Sequence, residues 1–171
     1  SQFSENLKFF NNEIKVVVYP SWDCLPYSNV SPRREIISKR YSALRGSKRS
    51  DKKCKIVLLS VDSILQKIIP ANDILRKSFS LDVDQKIDFV DLLQWLEKNG
   101  YSRQSNVYSI GEYAVRGGIL DIFVPEVKYP VRLDFFGTKL EKIRTFDPSS
   151  QRSNGSMENV KIFPVSEITL D

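Results

Sequence analysis

Histidine is absent from the 171 residues, and cysteine occurs only as Cys24 and Cys54. Without an imidazole, no serine or cysteine can be activated as in a nucleophile–histidine–carboxylate triad, so that route to acyl transfer is excluded. Two cysteines far apart, outside any CxxC pair, fall short of the four ligands that a structural zinc ion takes, and they read as reduced thiols. No apolar run approaches the roughly 20 residues needed to cross a bilayer. The opening SQFSENLKFF lacks the basic region and apolar stretch of a signal peptide. A cytoplasmic chain is expected. The phosphate-cradling patterns GxxxxGK[ST] and GxGxxG do not occur either, so these residues carry no machinery for nucleotide hydrolysis, and no catalytic residue, metal site or cofactor of their own is expected.

Positive charge, by contrast, is in surplus. A net charge of +5 and a pI near 9.2 suit an acidic partner, either nucleic acid or an acidic protein surface. Much of the surplus gathers in SPRREIISKRYSALRGSKRSDKKCK, where Arg33, Arg34, Arg40, Lys48 and Arg49 are candidate phosphate contacts. The bland alternative is a solvated helix face followed by a loop. A nucleic-acid-binding module built on residues 33–55 would bind duplex with a steep salt dependence.

Apolar residues, 41% of the chain, suffice for one ordinary core or two small ones. Residues 4–11 read as the end of an amphipathic helix with Leu7 and Phe10 inward and no visible beginning, which predicts a piece of a longer protein. The run Val16 to Val18 in EIKVVVYP predicts a strand covered on both faces. Ser31-Pro32 predicts an N-cap and first turn for a helix with Ile36, Ile37, Tyr41 and Leu44 inward as far as Gly46. KIVLLSV at 55–61 is a second buried-strand pattern, completing a parallel strand–helix–strand unit. After Pro70 alternation replaces continuous apolar runs. One helix is well marked there, capped by Asp88, reinforced by Asp91, stapled by Ile87 and ended by Gly100. Strands are expected over 104–109, 112–117, 119–124, 130–136, 140–146 and near 159–164. The fold class is therefore α/β plus α+β, with the chain split near residue 70.

Within GEYAVRGGILDIF, two strands meet at Gly117-Gly118, with Arg116 beside the turn. Alternation in YPVRLDFFG sends Val131, Leu133 and Phe135 to the core and Arg132, Asp134 and Phe136 to the other face. Arginine beside an exposed aromatic is the composition of a protein-binding hot spot, and Arg116 can extend that patch. Arg116 is expected either to point outward or to pair with Asp134. Asp121, Asp134 and Glu126 allow a Mg²⁺-dependent nuclease. The alternative is that they form cross-strand charge pairs with Arg116, Arg132 and Lys139.

Four stretches together make a signature: YPSWDCLPYSNVSPRREIISKRYSAL, NGYSRQSNVYSIGEYAVRGGILDIFVPE, YPVRLDFFGTKLEKIRTFDPSSQRS and IFPVSEI. In this order they resemble the N-terminal region of the bacterial transcription-repair coupling factor family, itself similar to the excinuclease repair helicase UvrB. The resemblance implies that residues 1–68 are part of a degenerate helicase-like α/β layer. It implies further that 69–163 are an α+β domain that binds the excinuclease component UvrA, and that 164–171 are a strand returning toward the α/β layer. It also implies that Arg116, Arg132 and Phe136 contact UvrA, so that Arg132→Glu abolishes binding and leaves the fold intact. A longer parent would also engage RNA polymerase and double-stranded DNA, and would use ATP and Mg²⁺ for translocation, with none of those motifs in these residues. Thr138-Lys139 and Ser28 stand where the family usually carries acidic residues, which alters the charge beside the expected interface.

Overall fold

Val16, Val17 and Val18 lie in strand β1 (Lys15–Tyr19), as their β-branched run predicts. The computed structural model describes residues 5–7, 9, 13–25, 30–48, 54–68 and 70–167. Helix α1 (Arg34–Lys48) follows β1, and β2 (Lys55–Leu59) then pairs parallel with it, Val17 opposite Val57. Helix α1 starts after the position that Ser31-Pro32 marks. The Arg33 carbonyl accepts from Ile37 at 3.2 Å, while the Asp23 carboxylate takes the Arg33 backbone N–H at 3.1 Å and its Nε as well. A carboxylate ten residues upstream thus satisfies a donor at the helix start, where the sequence pattern points to a local serine. Val17 and Tyr19 are buried with Ala43 of α1, whereas Val18, Val57 and Leu59 are exposed. The two strands are not covered on both faces as expected: Val18 is open on one side of the pair, and Val57 and Leu59, which share the face of Val17 and Tyr19, are open on the other. Helix α2 (Val61–Leu65) follows directly, with Ser60 as its N-cap.

The chain divides into two units between Asn72 and Asp73, inside the short helix α3 (Ala71–Arg76). In the second unit β3 (Phe79–Asp82) pairs antiparallel with β10 (Asn159–Ile162). Helix α4 (Phe89–Lys98) packs on a six-stranded sheet in the order β4 (Ser102–Arg103), β5 (Glu112–Arg116), β6 (Ile119–Ile122), β7 (Val131–Phe136), β8 (Lys139–Phe146) and β9 (Ser153–Met157). All of its pairings are antiparallel except β4 with β5. This unit is α+β.

Helix α4 begins as the sequence predicts, because the Asp88 carboxylate accepts from the N–H groups of Val90 at 2.8 Å and Asp91 at 3.1 Å. Its inward residues Leu92 and Leu96 enter a core with Tyr113, Leu120, Ile122, Val131, Leu133, Leu140 and Ile143. Each such leucine contributes about 1.5–3 kcal/mol by leaving water. The Tyr113 hydroxyl donates to Glu97 at 2.7 Å, and burial, followed by that bond, pushes the phenol up to about 12. It therefore stays a donor at neutral pH.

Three expectations need correction. Residues 104–109 form a loop rather than a strand, since pairing with β5 ends after Arg103 and the Gln104 N–H to Tyr113 carbonyl bond. Strands β3 and β9 lie outside the expected set; SNGSM in β9 has poor strand propensity, and backbone pairing to β8 holds it in place, as pairing to β10 holds β3. No strand covers 164–167, and 168–171 lie outside the described residues. Instead Val165 is buried in the core of the second unit, its N–H donating to the Asn99 carbonyl at 3.0 Å, and the buried Tyr101 hydroxyl donates to the Phe163 carbonyl at 2.7 Å.

Gly100 is where that segment closes on α4. Its φ is +90°, and a Cβ there would stand 2.5 Å from the Cβ of Ser166. Gly100→Ala is expected to destabilise the second unit by more than about 1 kcal/mol through backbone strain alone, with the clash added. Urea unfolding followed by Trp95 fluorescence measures this.

Candidate partner-binding face

Side-chain alternation on β5 to β8 turns one set of residues toward α4 and leaves the opposite face to Ala114, Arg116, Asp121, Arg132, Asp134, Phe136, Arg144 and Phe146. At its centre, Asp121 on β6 stands directly opposite Arg132 on β7. Arg132 grips it with both arms of the guanidinium, Nε to Oδ1 at 2.7 Å and Nη2 to Oδ2 at 2.8 Å. The guanidinium also lies 4.7 Å over the Phe146 ring and donates from Nη1 to the Gln151 carbonyl at 3.3 Å. The carboxylate is 2% exposed and the Arg132 side chain 14%. Val107, Ala114 and Phe146, with Phe123, form a small apolar cluster on this side of the sheet. Hydrogen bonding to the carboxylate holds Arg132 above the ordinary guanidinium value.

Arg116 lies at the end of β5, before the reversal at Gly117-Gly118. Gly117 has φ +60°, where glycine avoids the strain of a side chain, and a Cβ on Gly118 would press to 2.6 Å from the Phe135 carbonyl oxygen, so the second position requires glycine. The Arg116 side chain turns toward Asp121, not Asp134, with Nη1 at 3.5 Å from Oδ2. Its Nη2 donates to the Ser105 carbonyl at 2.8 Å and to Asn106 Oδ1. It remains 46% exposed. Phe136, at the far end of β7, is 76% exposed, whereas its neighbour Phe135 meets Phe89 edge to face at 5.1 Å.

Asp134 is claimed by Arg144, Nε to Oδ2 at 2.8 Å and Nη2 to Oδ1 at 2.9 Å. Sequence reasoning missed Arg144. A regular hairpin counted from Phe136 opposite Lys139 would send it to the core face, but the register shifts between Asp134 and Phe135, and Arg144 comes to lie opposite Arg132. The readable signal was the spacing of Leu140 and Ile143: both are buried, and residues three apart share one face of a strand only across a bulge. Lys139 pairs with Asp84 at 2.6 Å rather than with a sheet carboxylate. No cluster of three or more metal-ligating side chains occurs among the described residues.

The candidate phosphate contacts do not form one surface. Arg40 is fully buried, stacked 4.5 Å from the Tyr19 ring and 5.2 Å from that of Trp22. It donates to Pro20 O at 3.0 Å, Gln66 Oε1 at 2.8 Å and Lys67 O at 3.3 Å, so it cannot meet phosphate. Arg33 pairs with Asp23, Arg34 opens α1 and is half-buried, Lys48 ends α1, and Arg49 lies outside the described residues.

Residues 79–168, which contain the whole six-stranded sheet, match the family model described as the UvrB interaction domain. The chain belongs to this family. The interaction domain and the residues before it are also similar to proteins named transcription-repair-coupling factor. That of Haemophilus influenzae is 34% identical over 156 residues, covering 91% of this chain and 13% of the relative. That of Escherichia coli is 29% identical over 171 residues, covering 100% and 14%, and that of Mycobacterium tuberculosis is 35% identical over 143 residues, covering 81% and 12%. The chain thus spans about an eighth of the length of these relatives.

Removing one partner from a buried ion pair leaves the other uncompensated. Asp121→Ala is therefore expected to destabilise the interaction domain by about 3–5 kcal/mol, and Phe136→Ala by less than about 0.5 kcal/mol. Arg132→Glu would set a carboxylate against Asp121, and it is expected to unfold the domain rather than leave it intact. Urea titrations of the three variants check this ordering.

Proposed function

We propose that this chain is the recruitment module of a longer transcription-repair coupling protein and that it binds the excinuclease component UvrA through the face carrying Arg116, Arg132 and Phe136. The observation that carries the reading is Phe136, a large aromatic left exposed at the end of β7, on the same sheet face as a half-exposed arginine, within the segment that matches the UvrB interaction domain. An apolar anchor beside guanidinium donors is what a protein hot spot requires. Arg116, both of whose Nη groups already donate to Asp121, Ser105 and Asn106, offers its Nε–H and the open part of a half-exposed guanidinium to a partner carboxylate, and Arg132, whose three nitrogens donate to Asp121 and Gln151, adds its positive charge to the face.

On this reading the longer protein recognises RNA polymerase stalled at a lesion and displaces it by ATP-driven translocation along double-stranded DNA. These residues hold no phosphate loop, so ATP and Mg²⁺ fall to other parts of that protein. Residues 1–68 supply part of a degenerate helicase-like layer. The open apolar side chains Val18, Val57 and Leu59 on its paired strands support that assignment, since strands of a complete α/β sheet are covered on both faces.

Isothermal titration of the chain with UvrA tests the proposal. Micromolar or tighter binding is expected, weakened at least about 30-fold by Phe136→Ala. Binding unchanged by that substitution, or absent from the parent chain, overturns it. Salt-dependent binding of duplex DNA with no affinity for UvrA would favour a nucleic-acid module instead.

A further inference from the structure

We infer that Asp121 is a positioning residue for this face: its buried carboxylate, clamped by Arg132, sets the Arg116 guanidinium in the orientation that receives a carboxylate of the protein partner. The inference rests on the partner-binding reading of Arg116 and adds a residue that makes no contact with the partner itself.

Three observations carry it. Asp121 Oδ2 is shared between two guanidinia, at 2.8 Å from Arg132 Nη2 and 3.5 Å from Arg116 Nη1. A carboxylate has lone pairs enough for both. On the β5 side the residue opposite Asp121 is Ala114, too small to fill the space between the carboxylate and the Arg116 side chain two residues further on. Lastly, Arg116 is anchored on one side only. Asp121, Ser105 and Asn106 take its two Nη groups, while Nε has no acceptor among the described residues and the side chain is half exposed. A long side chain held at its inner edge with its outer edge presented loses less freedom on binding than a mobile one.

Charge alone makes the opposite prediction, which gives the test its sign. Removing a negative charge from this face should strengthen the attraction of an acidic partner, whereas loss of positioning should weaken binding. Asp121→Asn, Arg116→Ala and the double variant are titrated with UvrA under conditions where near-ultraviolet circular dichroism shows each folded. Asp121→Asn is expected to weaken binding about tenfold, and the double variant is expected to bind no more weakly than Arg116→Ala, an effect that a general loss of structure would not produce. Binding by Asp121→Asn at or above the parent affinity, or a full additive loss in the Arg116→Ala background, overturns the inference. Should Asp121→Asn not fold, Asp121→Glu keeps the charge and displaces it by one methylene. Weakened binding that vanishes in the Arg116→Ala background supports the inference, and parent affinity overturns it. If Arg116→Ala itself binds like the parent, the reading of Arg116 as a contact falls and this inference with it. If Arg116→Ala weakens binding and Asp121→Asn does not, only the inference falls.

Discussion

A carboxylate buried in a sheet must be paired, and the pairing of Asp121 with Arg132 organises everything on its side of the interaction domain. Taking both charges out of water is costly, and their attraction repays it only when geometry is near ideal and the remaining donors are satisfied. The fold meets both conditions. Direct cross-strand register brings the groups together in bidentate geometry, the Phe146 ring supports the guanidinium from one side, and the turn ending at Gln151 delivers a carbonyl to its Nη1. The same turn reaches the loop before β5, since Gln151 Nε2 donates to the Val107 carbonyl at 3.2 Å. One ion pair thereby fixes two irregular segments that have no strand partners of their own.

Those irregular segments are where the sequence is hardest to read. Alternation in VRLDFF sorts Arg132, Asp134 and Phe136 onto one face, because period two holds wherever a strand is regular. The cap at Asp88 and the reversal at Gly117-Gly118 are legible for a similar reason: local backbone chemistry decides them. Which arginine answers which carboxylate is not legible, because it depends on register, and one extra residue in β8 exchanges faces for everything after it. Asp134 therefore pairs with Arg144, while Arg116 turns to Asp121 diagonally across the regular β5–β6 pairing. The loop over 104–109 and strand β9 escape a sequence reading because tertiary pairing, not propensity, determines both.

Charge counting misleads in another way. The basic segment suggests a phosphate surface, yet Arg40 is an internal strut whose guanidinium serves three oxygens and two aromatic rings. A planar fork of five donors is well suited to joining irregular backbone, and a net charge of +5 does not distinguish that use from binding an anion. Burial distinguishes them: helical spacing puts Arg40 on the inward stripe with Ile36, Ile37 and Leu44, but a charge on that stripe can also snorkel to water, and the oxygens that keep it inside come from Pro20, Gln66 and Lys67, distant in sequence.

The interaction domain therefore separates two tasks that a single exposed arginine could not perform together. Arg132 stabilises the sheet because it is almost wholly committed to Asp121, and that commitment limits what it can offer a partner. Phe136 contributes little to the fold because its ring stands in water, and its burial is therefore still available as binding energy. Arg116 lies between these extremes, tethered by its inner edge and open at its outer one. A surface built on this division can tolerate change at Phe136 without losing its shape, but a change at Asp121 reaches both the fold and the orientation of what the fold presents.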